Sequence, residues 1–189
     1  MADGPSYKVK ASVFRAYVKW LEQEGRLASV LAKTSPETAR LVKAPPLAST
    51  WMESAPLDEL VTHIEEGLGL EGVRRASQEV LRDQMGPLLT PMVRNILRMI
   101  GASPETIFRH WDDLVKTTMR EVDWEWRSTS ATSGVLVVTY PRGSNVNIRT
   151  FFSAVAGLEY ALVLAGRRGV VEDPMQTSEN SARFEIRWT

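Results

Sequence analysis

The sequence contains no cysteine. That single absence excludes disulfide staples, thiol nucleophiles, zinc–thiolate centres and iron–sulfur clusters. Histidine is nearly as scarce, with His63 and His110 alone among 189 residues. They are far apart, no His-x-x-x-His pair occurs, and the expectation is neither a metal nor a cofactor. Net charge is lacking too, because 23 Lys and Arg balance 23 Asp and Glu. Nothing in that balance favours nucleic acid or a membrane surface. The longest apolar run, "FFSAVAGLEYALVLAG" from Phe151 to Gly166, is short for a membrane span and carries Glu159. The opening "MADGPSYKVK" lacks the apolar centre of a signal peptide, so cytoplasm is the expected compartment. No Gly-x-Ser-x-Gly marks a serine nucleophile.

What is present describes an ordinary globular chain, 43% hydrophobic and 24% charged. A single domain over residues 1–189 is expected, helical over about 8–118 and sheet-forming over about 119–189. Val13, Tyr17, Trp20 and Leu21 recur at helical spacing within Lys8 to Glu24, and Gly25 follows as a stop. "SPET" occurs at Ser35 and again at Ser103, each time with a serine cap, proline at the first helical position and acid in the first turn. Further helices are expected from Pro56 to Gly67, around Val73 to Leu81, and from Leu88 to Ile100. The glycines of "GLGLEG" read as a turn between helices. A dinucleotide-binding loop would follow a strand instead.

After His110 the period changes from helical to two. Val122, Trp124 and Trp126 alternate with Glu121, Asp123 and Glu125. "SGVLVVTYPRG" is a second strand, and "STSATSG" suits the hairpin loop before it. Asn147 to Ala165 returns to helix, "GRRGVVEDP" holds a short strand, and "ARFEIRW" alternates again. The fold class is therefore α+β: a helical N-terminal half followed by β-β-α-β-β forming a four-stranded antiparallel sheet. The acids of β-strand 121–125 and Arg183 and Arg187 are placed to pair across strands. The same acidic strand would repel phosphate, and no nucleic-acid binding is expected.

This order of elements resembles the superfamily that joins heme-NO-binding domains, vinyl-reductase-type small-molecule-binding domains and TRAPP-like subunits. "FFSAVAGLEYALVLAG" and the ending "ARFEIRW" further resemble a myxobacterial paralogous family of unassigned function. The resemblance implies a sensor-like or adaptor role, and for heme-binding members a helix histidine ahead of the sheet as iron ligand. His110 stands at about that place. Such members then hold the propionates with Tyr-x-Ser-x-Arg; here Tyr140 is followed by Arg142 where serine belongs and by Ser144 where arginine belongs. The charge-assisted donors to the propionates are thereby lost. His110, Tyr140 and Arg142 remain the residues through which a heme-based gas sensor would work.

His110 also has a plain reading, as a core-edge residue bonded to Asp113. His63 reads as a surface or edge residue. Glu159 lies in the apolar run, and helix geometry turns it outward if Val155, Leu158 and Leu162 form the buried stripe. Asp112 and Asp113 are adjacent and diverge on a helix. The basic residues from Lys8 to Lys43 and the acidic run from Glu53 to Glu71 read as solvated faces that partly neutralise each other.

The function expected is a non-enzymatic sensor or adaptor that binds a small apolar ligand or a protein partner and forms a homodimer. Its cavity is expected between the late helix and the sheet, at Phe151, Val155, Leu158 and Leu162 facing Trp124, Trp126 and Trp188. The alternative is a structural protein–protein interaction module with a filled core.

Overall fold

The computed structural model describes residues 7–85, 103–144 and 146–189. The first expected helix divides into two elements. Lys8–Lys10 is a strand, β1, and Ala11–Gln23 is helix α1. On α1, Phe14, Tyr17, Val18 and Leu21 are buried, the spacing of one helical face. Gly25, with φ 66°, then turns the chain out of the helix in a left-handed conformation that costs glycine little. Short helix α2 spans Leu27–Leu31 and α3 spans Pro36–Lys43.

Both Ser-Pro-Glu-Thr segments open helices as their chemistry dictates. The Ser35 hydroxyl accepts from the Thr38 N–H at 3.3 Å, and Ser103 accepts from the Thr106 N–H at 3.1 Å. The second begins α5, Pro104–Arg109, after which His110 joins it to α6, Trp111–Val115.

The front half is not wholly helical. β2 (Trp51–Glu53) and β3 (Met119–Arg120) pair antiparallel with the two edges of β1, giving a small three-stranded sheet. Between β2 and α5 runs α4, Ala55–Glu79, which continues into a π-helical turn at Val80–Met85. "GLGLEG" breaks this helical run in two, as a turn between helices should: Gly69 leaves helical geometry, at φ 69° and ψ −177°. The helix expected from Leu88 to Ile100 lies outside the described residues.

The main sheet has five strands, not four: β4 (Asp123–Ser130), β5 (Ser133–Thr139), β6 (Gly169–Val171), β7 (Met175–Ser178) and β8 (Ser181–Trp188). The order is β4-β5-β8, with β6 and β7 sharing the far edge of β8. β7, "MQTS", is exposed throughout and offers no alternation to read. Helix α7, Ile148–Leu164, crosses between β5 and β6. Its start is capped by Asn147, whose side chain accepts from the Arg149 N–H at 3.1 Å.

Register puts the expected apolar residues into shared rows. Trp124, Val138 and Ala182 stand across from one another, as do Trp126, Leu136 and Phe184. The charged face is arranged differently from expectation. β5 separates β4 from β8, so their charges never pair across strands. Arg127 pairs with Glu125, and Arg183 with Glu185, each along its own strand, while Arg187 reaches Glu172. Among the described residues, no helix is long and apolar enough to cross a membrane.

Candidate functional site

Helix α7 is buried on two sides. Phe151, Val155, Leu158 and Leu162 belong to one packed core with Leu136, Phe184 and Ile186 of the sheet. The other side carries small residues, Ser153, Ala154, Gly157 and Ala161, and opens onto a cavity of about 210 Å³. The cavity lies between α7 and the front half. Val13 and Tyr17 of α1 line it, with Leu57, Asp58 and Val61 of α4. Trp111 and Leu114 of α6, Met119 of β3, Trp124 of β4 and Tyr140 complete the wall.

The cavity is thus on the opposite face of α7 from the one expected. Of the seven residues expected to form it, Trp124 alone is on its wall. Phe151, Val155, Leu158 and Leu162 are too large and too well packed to leave space, and all are buried to within 2% exposure. Trp126 and Trp188 close a separate aromatic cluster on Phe108. Its ring centroids lie 5.0 Å from Trp126 and 6.2 Å from Trp188, and the two indoles are 6.1 Å apart. The Trp126 N–H donates to Glu105 Oε2 at 3.2 Å. The signal for the true cavity is the run of small side chains at 153, 154 and 157, which a search for large apolar residues passes over.

Most polar groups on the wall are already used within the protein. Tyr17 and Ser77 share a hydrogen bond of 2.6 Å. Thr117 donates to the Leu114 carbonyl at 2.7 Å, Thr118 to Val115 at 3.2 Å and Ser153 to Thr150 at 2.7 Å. Trp111 and Trp124 meet edge to face at 6.3 Å. Their Nε1–H groups are buried without an acceptor and are sealed from solvent-sized contact, so neither is a ready donor to an occupant.

Asp58 is the exception. It is the one charged side chain among the described residues of the wall. Tyr7 donates to its Oδ1 at 2.7 Å. Burial pushes its carboxyl up to about 6, against the lowering effect of hydrogen bonds from Tyr7 and Ser54 and of the Arg149 charge. Arg149 does not close on it, because that guanidinium is engaged by Glu65 and by Thr62, the latter at 2.6 Å. Burial also raises the phenols around it: it pushes Tyr17 up to about 12, and it moves Tyr7 and Tyr140 upward as well. Sequence reasoning missed Asp58 by counting it within an acidic run on solvated faces. Several members of that run do serve the surface: Glu59 accepts from the Ser35 N–H at 2.6 Å, and Glu66 lies 3.5 Å from Lys33.

The remaining expected residues fall elsewhere. His110 sits in the junction of α5 and α6 with its side chain 43% exposed, Nδ1 3.7 Å from Asp113 Oδ2. His63 bonds Glu66 at 2.9 Å on the other side of α4. Glu159 is not on a free wet face. It is half-buried, paired with Arg74 and accepting from Gln78 at 2.5 Å, and so clamps α4 to α7. Arg142 is exposed in the loop after β5, whereas Tyr140 is buried edge-on to Tyr7 and Phe151. No group of three or more His, Cys, Asp or Glu able to hold a metal ion occurs among the described residues.

Comparison with solved structures decides the fold. An H-NOX protein from S. oneidensis in the Fe(II) ligation state superposes with a TM-score of 0.69 at 13% identity, covering 95% of this chain and 96% of that one. An unliganded Fe(II) H-NOX mutant from K. algicida gives 0.66 at 10% identity, with 95% and 96% covered. The chain has an H-NOX-like fold. A further structure, solved to probe heme distortion in the H-NOX family, gives 0.58 at 9% identity, with 95% of each chain covered. No family model matches the sequence, and no curated protein matches it.

The described residues of the cavity wall do not fit heme. Neither histidine lines the cavity, and the cysteine that could replace them is absent. The cavity, at about 210 Å³, is below the roughly 300–1,000 Å³ of pockets that take drug-sized ligands. Its one charge among the described residues, Asp58, would repel propionates rather than hold them.

Proposed function

We propose that the protein is a non-enzymatic sensor or adaptor domain that holds a small, mainly apolar molecule between α7 and the helical front half. The observation that carries this reading is the cavity itself, walled by aliphatic and aromatic side chains and given room by Ala154 and Gly157. It favours ligand binding over an interaction module with a filled core. Occupancy would bring one molecule into contact with several elements at once, since α1, α4, α6 and α7 all contribute to the wall. Output would then pass to a protein partner or to a second copy of the chain, in the cytoplasm. Kinship with the myxobacterial paralogous family belongs to the same proposal, as does the absence of catalysis and of nucleic-acid binding.

The test is a solvent extract of the purified protein read by mass spectrometry, followed by thermal melts with added apolar probes. A stoichiometric small molecule, or a melting temperature that rises with propylbenzene concentration, supports the reading. A ligand present at 100 times its Kd stabilises by about 2.7 kcal/mol. Ala154→Phe should fill the space and remove that response. An empty protein whose melt no probe shifts would reject ligand binding.

A further inference from the structure

The cavity carries information about the kind of molecule it takes. Its hydroxyls bond one another or the backbone, as the Tyr17–Ser77 and Thr117–Leu114 bonds show. Asp58 contributes its only charge among the described residues. Although packed deep in the protein, Asp58 is not a fully buried residue. It is among the residues that line the cavity. One oxygen takes the Tyr7 hydroxyl, and the cation whose field reaches Asp58, Arg149, is bound to Glu65. Among the described residues, the carboxylate is therefore held in place without a counter-ion in contact. Around it the wall presents aromatic rings, Tyr17, Tyr140 and, farther along, Trp111, Trp124 and Tyr160. A negative charge beside aromatic faces attracts a cation and rejects an anion.

We propose that the occupant is an organic amine, a small apolar body bearing one protonated nitrogen, and that Asp58 is the residue that binds that nitrogen. This rests on the sensor reading above and narrows its ligand class. A purely structural account of Asp58 also exists, since the bond to Tyr7 ties the segment before β1 onto α4. The two accounts differ in what removing the charge does to ligand preference.

The probes are three molecules of one shape: phenethylamine, propylbenzene and 3-phenylpropanoate. Binding is followed by calorimetry and by tryptophan fluorescence. The amine should bind at least about tenfold more tightly than the hydrocarbon, and the carboxylate should bind least. Asp58→Asn should erase the preference while propylbenzene still binds. Tyr7→Phe removes the tether but keeps the charge, so the preference should survive it, and this variant serves if Asp58→Asn does not fold.

A second readout needs no variant. Among the described residues, the ionisable groups facing Asp58 are Tyr7, Tyr17, Tyr140 and Arg149, with burial raising the tyrosines. Asp58 alone among them titrates between pH 5 and 7. The amine preference should therefore fall about tenfold from pH 7 to pH 5 in the wild type, with propylbenzene unaffected. Equal binding of all three probes, or a preference that Asp58→Asn leaves intact, would overturn the inference and leave the cavity reading standing. Failure of every probe, propylbenzene included, would overturn both.

Discussion

Tyr7 donates a 2.7 Å hydrogen bond to Asp58, so the residue ahead of β1 is tied to the first turn of α4. Both partners are desolvated by the same packing, and the carboxyl is pushed up to about 6. The unfolded chain titrates Asp58 near its ordinary value of about 3.9. The folded protein thus binds the proton more tightly. The contribution of Asp58 to stability is therefore greatest below about pH 4 and falls as pH rises through about 6, to a constant penalty above.

Relative to Asp58→Asn, the wild type should lose about 2 kcal/mol between pH 4 and pH 7. Urea melts of both proteins at several pH values measure this directly. Parallel stability curves would show that Asp58 is not desolvated in the folded protein.

The purified protein should be colourless, and added hemin should not bind stoichiometrically. His110 is too exposed, and Arg142 too far out in its loop, to hold iron and propionates together. An absorption spectrum with a strong heme band that vanishes in His110→Ala is the opposing result.

Gly134 lies under Trp126. A Cβ there would stand 2.1 Å from Trp126 Cη2 and 2.7 Å from the Arg127 carbonyl oxygen. Gly134→Ala should destabilise the protein by about 1–3 kcal/mol, because Trp126 is held by Phe108 and Trp188 and has little freedom to yield. A melt within experimental error of wild type would mean that the indole moves aside freely.

Trp188 is 7% exposed and closes the aromatic cluster on Phe108 and Trp126. Its N–H also donates to the Thr132 carbonyl at 2.9 Å. Ending the chain after Arg187 should cost about 3 kcal/mol or more. An unchanged denaturation midpoint would show that this end of β8 frays.

Glu159 and Arg74 are each 23% exposed. A double-mutant cycle with Glu159→Gln and Arg74→Gln should give a coupling of about 1 kcal/mol that weakens with salt. Zero coupling would return Glu159 to the free helix face expected of it from sequence.

What could be read beforehand follows from which signals are local. Caps are local, and Ser35 and Ser103 behave as their neighbours require. Alternation is local, and Trp124, Leu136 and Phe184 fall on one face because period two admits no other arrangement. β1, β2 and β3 are two or three residues long and exist only through partners distant in sequence, so no window along the chain contains their cause. The cavity is legible only in reverse. Large residues on α7 mark where space is filled, and the gap lies where Ser153, Ala154 and Gly157 provide too little side chain to fill it. Asp58 differs from Glu59 beside it only in the direction it points, which the helix axis decides and the letters do not.

β8 is the last of the five strands to be synthesised, yet it is the one that pairs with three others, β5, β6 and β7. Until it is made, β5 has an unpaired edge of backbone N–H and C=O groups, and β6 and β7 have no partner in the sheet. The nascent chain therefore carries an open template for intermolecular strand pairing from the completion of β5 at Thr139 until β8 is made. Slowing translation just upstream of codon 181 should prolong that exposure and raise the aggregated fraction, while the finished protein keeps both the edge and its consequences hidden.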